Sequence, residues 1–598
     1  MRVLMTILVL ILGLAALPVS AAEDTNSEQM KQLQDQIQAL KQSLDQLQLK
    51  LDEMKTEQAA IKTEQTEMKT EQADLDVKTR LDQVERKSMM DRLNLTGEIR
   101  VANDFVDGTQ AAYFNGLQLQ KGIVDTMFYM QTNNGGFPVF NPSDPNSIYQ
   151  ALSRNVAAHY SEYLLFTNQL TFDQLKSALS QFPQEQQQML MGFLLPGTAR
   201  PAQDYRNSLL YSTRLRLNTR AEISENLSFT GRLAMYKAWG DSTGVQVFNG
   251  QPNSINIDGT TTSVPNSDIV RVDRAYFDWN KIGGTGWYLS LGRRPSAGGP
   301  PTEIRDNRLR GGTPIGHVVD FQFDGATVGY IFNGDKLPGA IFRFCYGLGY
   351  ESGFGSAAEL KAPADRLADA QFAGFNFDLL STDRNFLQAT VLRAFNVTDG
   401  FNGLVVMPVD PVTGNPAPGP AVMRFTPSTN LGDISLGGVV LERQDGPVKW
   451  FASGAFSVTH PENVTTPFGG LMSDPFSVPE SHSGGSFYGG IRYDFPGNKA
   501  QIGGEYNYGS KYWFNFTAAA DDMVLSKLAT RGSVFEGYLN YQLNKHLQLR
   551  VAGINYWYKY SGSGWHLGEP KELDTMPVLG FPTYQNVFDL RTWVLVKF

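Results

Sequence analysis

The chain has 598 residues, of which only 19 % are charged and 12 % are aromatic, and it contains 58 glycines. This mixture excludes a disordered chain and does not suit a soluble helical enzyme, but it is typical of a large β protein. The net charge of −9 and the absence of a strongly basic domain argue against nucleic acid as a partner. A single cysteine, Cys345, excludes an internal disulfide framework and attached c-type haem.

Residues 1–22 have the pattern of a secretory signal peptide. Arg2 precedes an apolar run over residues 3–17, and the small residues Ala21 and Ala22 mark a cleavage site. The run is short for a retained membrane helix, and no later segment has a long apolar run without charges. The exported chain is therefore expected either to remain free outside the inner membrane or to enter a membrane as a barrel.

Residues 23–91 are predicted to form an α-helical coiled coil in the periplasm. From Met30 the apolar residues alternate by three and four positions, and a sevenfold repeat continues to Leu75. Glutamines fill three successive core positions and can bond to their copies on neighbouring strands, which favours a trimer; a lone helix with a solvated face is the alternative. The residues predicted to form this contact are Leu44, Leu47, Leu51, Met54, Gln58, Ile61, Gln65, Met68, Gln72 and Leu75.

Residues 92–598 are predicted to form an outer-membrane β-barrel, because the apolar period changes from seven to two. In residues 211–220, apolar and arginine side chains alternate, so that one face would meet lipid and the other the lumen. Such runs reach the roughly 9 to 11 residues that a tilted strand needs to cross a bilayer. The candidate strands are residues 95–105, 211–220, 227–236, 274–279, 287–291, 321–330, 340–346, 371–379, 386–395, 434–441, 448–458, 487–495, 500–508, 534–543, 547–560 and 588–598. We therefore expect an all-β transmembrane barrel of about sixteen antiparallel strands, an even number.

The last strand ends on Phe598, with alternate apolar residues on one face. This ending resembles the terminal strand of bacterial outer-membrane barrels, which the barrel assembly machinery recognises. Residues 106–205 form a long insertion after the first strand, and part of it reads as helix, with Thr171 as a candidate cap. The insertion is expected either to enter the lumen as a constriction or plug, or to remain an exposed cap.

Four stretches carry a resemblance to a known family. They read MYKAWG (235–240), RVDRAYF (271–277), LGRRPSAGG (291–299) and FCYGLGY (344–350). As a set they resemble a porin-like outer-membrane barrel family, of unknown function, from metal-reducing anaerobic bacteria. The layout also resembles trimeric porins with an N-terminal coiled coil. That resemblance implies three barrels side by side and a coiled coil directed at the cell wall; the usual wall-binding module is not evident.

Arginines are concentrated in the predicted lumen and in one loop. Without acidic residues opposite them, these arginines would make the pore select anions. With acidic residues across the pore, the two sets of charges would create a transverse electric field. Alternatively, they pair with Glu98, Asp278 or Glu222 and stiffen the wall. The predicted pore-lining residues are Arg214, Arg216, Arg220, Arg232, Arg274, Arg294, Arg305, Arg308 and Arg310.

We predict no enzyme activity, cofactor or metal site. Ser481 and His482 are the one candidate for a hydrolytic pair, and they lie in a glycine-rich loop without an evident oxyanion partner. The remaining histidines do not have metal-ligand spacing. The sequence thus favours a porin for small hydrophilic solutes, with a mild anion preference. The alternatives are a tether between outer membrane and cell wall, and a barrel around an electron-transfer conduit.

Overall fold

The computed structural model describes residues 93–241, 264–265, 267–310, 313–332, 334, 337–353, 367–399, 427, 429–517, 521–574 and 577–598. The predicted signal peptide and coiled coil lie outside these residues, so both stay predictions. Among the described residues, no helix is long and apolar enough to span a membrane.

Sixteen antiparallel strands close into a barrel, as the sequence predicted. The ring closes at β1 (Leu93–Gln110), which bonds to β4 (Gln203–Ser224) on one side and to β19 (Tyr584–Lys597) on the other. The remaining barrel strands are β5 (Leu227–Ala238), β6 (Ser267–Trp279), β7 (Trp287–Ser296), β8 (Phe321–Ile331), β9 (Ile341–Tyr350), β10 (Ala370–Ser381), β11 (Asn385–Thr398), β12 (Asn430–Asp445), β13 (Val448–Pro461), β14 (Ser483–Asp494), β15 (Ala500–Gly509), β16 (Gly532–Gln542) and β17 (Leu547–Tyr558).

Alternation along each strand sorts the side chains between the outside and the lumen. In β14, Phe487 and Ile491 are 48 % and 56 % exposed, whereas Tyr488 and Arg492 are buried. The same alternation leaves large apolar side chains exposed around the outer wall, as expected for a surface that faces lipid. Aromatic examples are Phe229, Trp287, Phe344, Phe375, Phe395, Phe456, Tyr506, Phe535, Trp557 and Phe588.

Short turns join the strands at one end of the barrel. The turn between β14 and β15 uses Gly497 (φ +81°) and Asn498 (φ +54°), residue types that tolerate the left-handed conformation. At the same end, Phe598 exchanges backbone hydrogen bonds with Gly97. A side chain at position 97 would meet the Phe598 ring, so glycine there allows the terminal aromatic ring to lie against the wall.

The first strand is longer than predicted, and β4 begins at Gln203, eight residues before the predicted start at 211. The insertion between them therefore covers residues 111–202 instead of 106–205. Its helices are α1 (Gly116–Thr132), α2 (Ser147–Ala158), α3 (Tyr160–Gln169), α4 (Phe172–Gln181) and α5 (Gln184–Leu194), and they share a core around Leu152, Leu175 and Leu194. Thr171 caps α4 as predicted: its hydroxyl accepts from the Gln174 N–H, and the Gln174 side chain accepts from the Thr171 N–H.

The insertion contacts the long connections at the other end of the barrel. Gln120 donates to the carbonyl of Pro467, and the Phe172 ring lies 5.7 Å from the Phe476 ring. The short strands β2 (Tyr113–Asn115), β3 (Ala199–Arg200) and β18 (Val578–Gly580) form a small separate sheet that ties the insertion to the connection between β17 and β19.

Two other connections fold inward, among the lumenal side chains. Residues 297–320 include α6 (Thr302–Asp306), whose Arg305 carbonyl accepts from Asn540 on the inner wall. Residues 510–517 and 521–531 belong to the second connection and bond to the first: Asp320 N–H donates to the Phe516 carbonyl, and Asn515 donates to the His317 carbonyl. These two connections therefore occupy part of the lumen, and only the arginines of the first one were singled out in the sequence.

Candidate functional site

One wall of the lumen carries a cluster of arginines. Successive inward positions of β4 place Arg214 and Arg216 side by side, and β1 and β5 add Arg100 and Arg232 in the adjacent rows. All four side chains are buried inside the barrel. Arg274 on β6 extends the same surface. We call these five residues the arginine wall.

Three carboxylates pair with this wall: Asp273 of β6, which is buried against Arg232 and Arg274, and two from other elements. Glu98 on β1 lies 3.1 Å from Arg214 and 3.4 Å from Arg216. Asp521, from the inward connection before β16, contacts Arg100 at 2.5 and 2.9 Å and also pairs with Arg214. Burial raises the pKa of Asp521, but Arg100 and Arg214 outweigh this effect and hold that pKa well below its usual range. The carboxylate is therefore ionised at neutral pH and joins the connection to the wall.

Asp306, at the end of α6, is surrounded by arginines. Its carboxylate lies 3.2 Å from Arg305, 3.4 Å from Arg308 and 3.2 Å from Arg550 of β17. Burial raises the pKa of Asp306, but these three guanidinium groups outweigh it and lower the pKa below its usual range. The ion pair with Arg550 holds the end of α6 against β17.

A pair of carboxyl groups fixes the start of α6. Arg310 lies 2.7 Å from Glu442 of β12 and 3.4 Å from Glu303, and its guanidinium stacks 3.8 Å from the centre of the Phe386 ring. Burial and the neighbouring Glu442 raise the pKa of Glu303 well above its usual range. A proton shared between the two carboxyl groups thus lets them occupy one buried site.

Free space remains between the arginine wall and α6. A narrow cavity of about 90 Å³ lies at the level of Asp521, and a wider one of about 510 Å³ extends towards the short turns. Arg216, Arg232 and Arg308 line both, so the two cavities adjoin. Among the described residues, ten cationic side chains and six carboxylates line the narrow cavity, and three further carboxylates, Asp104, Asp273 and Asp589, pair with lining arginines from behind. The surface that faces this cavity is therefore rich in cationic groups.

The predicted arginines occupy three different environments. Arg214, Arg216, Arg232, Arg274, Arg305 and Arg308 line the narrow cavity. Arg294 lines the wider one and donates to the Ser290 hydroxyl, while Arg310 is held by Glu442. Arg220 is exposed at the turn end of β4 and pairs with Glu222 at 2.7 Å.

Sequence reasoning missed several lumenal charges. Arg100, Arg550 and Arg591 line the narrow cavity from β1, β17 and β19, at the inward positions of strands that were predicted. The period-two pattern could have found them. Asp521 and Asp306 lie in connections, where the pattern gives no signal, and these carboxylates neutralise part of the positive charge.

The candidate hydrolytic pair has other partners. The Ser481 hydroxyl donates to the Thr459 carbonyl, and the His482 ring stacks on Tyr512 with 3.9 Å between ring centres. His317 is buried between Ser453 and Ser486, and burial lowers the pKa of this histidine to about 3. Within the described part of the chain, no group of three or more His, Cys, Asp or Glu could hold a metal ion.

Comparisons with known proteins match the chain to a family and to several barrels. The family model described as "Protein of unknown function (DUF3373)" matches residues 204–598. A comparison with curated proteins gave no match.

Among solved structures, the trimer form of OmpT, an outer membrane protein of Vibrio cholerae, is 10 % identical, with 85 % of this chain and 99 % of that chain covered and a TM-score of 0.35. OprB of Pseudomonas putida is 10 % identical, with 86 % and 96 % covered and a TM-score of 0.36. OmpF of Salmonella typhi, in complex with daunomycin, is 10 % identical, with 85 % and 97 % covered and a TM-score of 0.35.

Proposed function

We propose that this chain, which belongs to the DUF3373 family of proteins of unknown function, forms an outer-membrane channel for small hydrophilic solutes and prefers anions. The observation that carries the proposal is the pair of adjoining cavities along the arginine wall. They leave space for water and small solutes beside a surface on which cations outnumber carboxylates. Rings of lumenal arginines favour anions in pores.

The outer surface supports placement in a membrane. A closed barrel leaves no strand edge unpaired, which is the condition for β structure in lipid. Exposed aromatic residues lie near both ends of the strands: Trp287 and Tyr541 near the short turns, and Tyr508 and Trp557 near the long connections. Such girdles are typical of barrels in outer membranes. We place the short turns in the periplasm and propose that the assembly machinery recognises Phe598.

The predicted coiled coil completes the proposal. Its glutamine layers favour three strands, so we propose a homotrimer of channels with the coiled coil in the periplasm, directed towards the cell wall. This part rests on the heptads of residues 30–75, which lie outside the described residues. The oligomeric state of the protein can be measured separately from the conductance of a single barrel.

Solute entry into proteoliposomes tests the preference for anions. Gluconate and N-methylglucamine have similar sizes and opposite charges, and we expect gluconate to enter faster. Replacing Arg216 and Arg232 by glutamine should reduce the ratio of the two rates, because both arginines line both cavities. The control is Arg220→Gln, an exposed arginine at the turn end, which should leave the ratio unchanged. Faster entry of N-methylglucamine would contradict the proposal.

A further inference from the structure

A second large cavity lies outside the lumen, between the helical insertion and the long connections. It measures about 780 Å³. Helices α1, α4 and α5 form one side, and the connections from β13 to β14 and from β17 to β19 form the other. Sites for small organic ligands have volumes of roughly 300 to 1,000 Å³, so the size fits one such molecule.

The cavity is mainly apolar. Leu119 and Ile123 from α1 and Leu190 from α5 supply aliphatic surface. On the other side, the rings of Phe468 and Phe581 stack with 6.0 Å between their centres. Water gains few hydrogen bonds against such walls, so an apolar ligand body would displace it favourably.

One buried cation lines this apolar space. Arg531 is fully buried, and its guanidinium donates to the carbonyls of Trp513, Ser561 and Trp565 at 3.0, 3.1 and 2.7 Å. Among the residues that the structure describes, no carboxylate forms an ion pair with Arg531. Three of its five N–H donors thus go to carbonyls and one to the Met472 sulfur, and none of these neutral partners cancels its charge. In surroundings of low polarity, that charge favours an anion placed in the cavity.

The other two cations of the lining are lysines, and each is paired with a carboxylate, Lys176 with Asp173 at 2.9 Å. Lys571 at the edge is neutralised by Asp474 at 2.5 Å and Glu569 at 2.9 Å. Gln120, which is buried, donates to the Pro467 carbonyl, but its Oε1 atom has no hydrogen-bond partner among the described residues. A hydroxyl group on a ligand would give this atom a donor, since a buried acceptor left unpaired costs free energy.

We propose that this cavity binds an amphipathic organic anion, with its apolar or aromatic body between the insertion and the connections and its anionic group on the Arg531 side. The site is separate from the lumen and does not depend on conduction. It would give the mouth of the barrel a receptor function for small organic acids.

Photochemical labelling tests the site in the folded, full-length protein. The probe is a benzoate that carries a trifluoromethyl diazirine, and labelled peptides are identified by mass spectrometry. We expect saturable labels on the peptides that contain residues 116–123 and 561–581, suppressed by excess benzoate. The corresponding benzylamine probe should label these peptides about tenfold less, because the positive charge of Arg531 repels its ammonium group.

A pair of variants on one helix tests the location. Met191 lines the cavity, whereas Met189 is exposed on the same helix and does not line it. Met191→Trp should place an indole ring inside the cavity, in the way of the ligand body, and reduce saturable labelling by about tenfold, while Met189→Trp should leave it unchanged. Heat-modifiable migration in gels verifies that both variants form the barrel.

Two results would overturn the proposal. Labelling of the wild type that does not saturate, or that spreads over the outer wall, would mean that the cavity takes no ligand of this class. Equal saturable labelling by the benzoate and benzylamine probes would mean that Arg531 does not select anions. The wild-type comparison needs no variant, so a folding defect in Met191→Trp does not affect it.

Discussion

Asp521→Asn removes the carboxylate that joins the connection between β15 and β16 to the arginine wall. The change is nearly isosteric, and asparagine tolerates the positive φ of +69° at this position, so the backbone need not move. Arg100 and Arg214 then lose the carboxylate that both contact. Asp521→Asn therefore isolates the effect of one charge.

The expected loss of stability follows from burial. Arg100 and Arg214 have side chains only 8 % and 2 % exposed, while Asp521 is 21 % exposed. Removing one partner of a buried ion pair typically costs 3 to 5 kcal/mol, and the partial exposure of Asp521 favours the lower end, about 3 kcal/mol. The same change leaves one more uncompensated positive charge in the narrow cavity, so anion selectivity should increase.

The pH dependence follows from the lowered pKa of Asp521. A carboxyl group with a pKa below its unfolded value stabilises the folded state above the unfolded value, near 4, and the stabilisation disappears as pH falls through the folded pKa. The difference between wild type and variant should therefore stay constant from pH 5 to 8. It should decline only in stronger acid.

Urea unfolding of the protein in lipid vesicles, followed by tryptophan fluorescence, measures the change in free energy. The matched control is Asp445→Asn, because Asp445 also pairs with two arginines, Arg384 and Arg443, but lies exposed at a turn. We expect no measurable change in stability for the control. If Asp521→Asn loses less than about 1 kcal/mol and keeps its selectivity, the assigned role of this ion pair is wrong.

Three further changes test other parts of the structure. Asp306→Asn should detach the end of α6 from Arg550, lower stability by about 3 kcal/mol and increase single-channel conductance; unchanged conductance would contradict the role of α6. Because the pKa of buried His317 is lowered to about 3, its neutral form stabilises the fold above pH 6.5 and less as pH falls towards 3. Urea midpoints for His317→Gln should thus vary less between pH 6.5 and 4 than those of wild type; equal slopes would refute this. Deleting residues 23–91 should yield monomers by analytical ultracentrifugation, and persistent trimers would show that the coiled coil is not required.

Strand positions were predictable from the sequence because a barrel strand has a pattern that neighbouring residues reveal. Inside and outside alternate with every residue, so Arg214 and Arg216 could be assigned to the lumen from the sequence around them. The even strand count followed from the same rule applied along the chain. Only the ends differed, such as β1, which extends to Gln110.

The partners of these arginines were only partly predictable. Glu98 shares the inward phase of its strand and was one of the considered partners. Asp521 is 421 positions from Arg100 in the chain, and it lies in a connection without periodicity. Its contact depends on how the connection folds into the closed barrel, which no local pattern encodes. The same reason hid α6 and the cavity beside Arg531.

The most direct test of the central claim is the reversal potential of single channels in a planar bilayer under a salt gradient. We predict ohmic openings, with a reversal potential of the sign that denotes anion selectivity, since cations outnumber carboxylates in the narrow cavity. A cation-selective reversal potential, or no conductance from folded and heat-modifiable protein, would contradict the account.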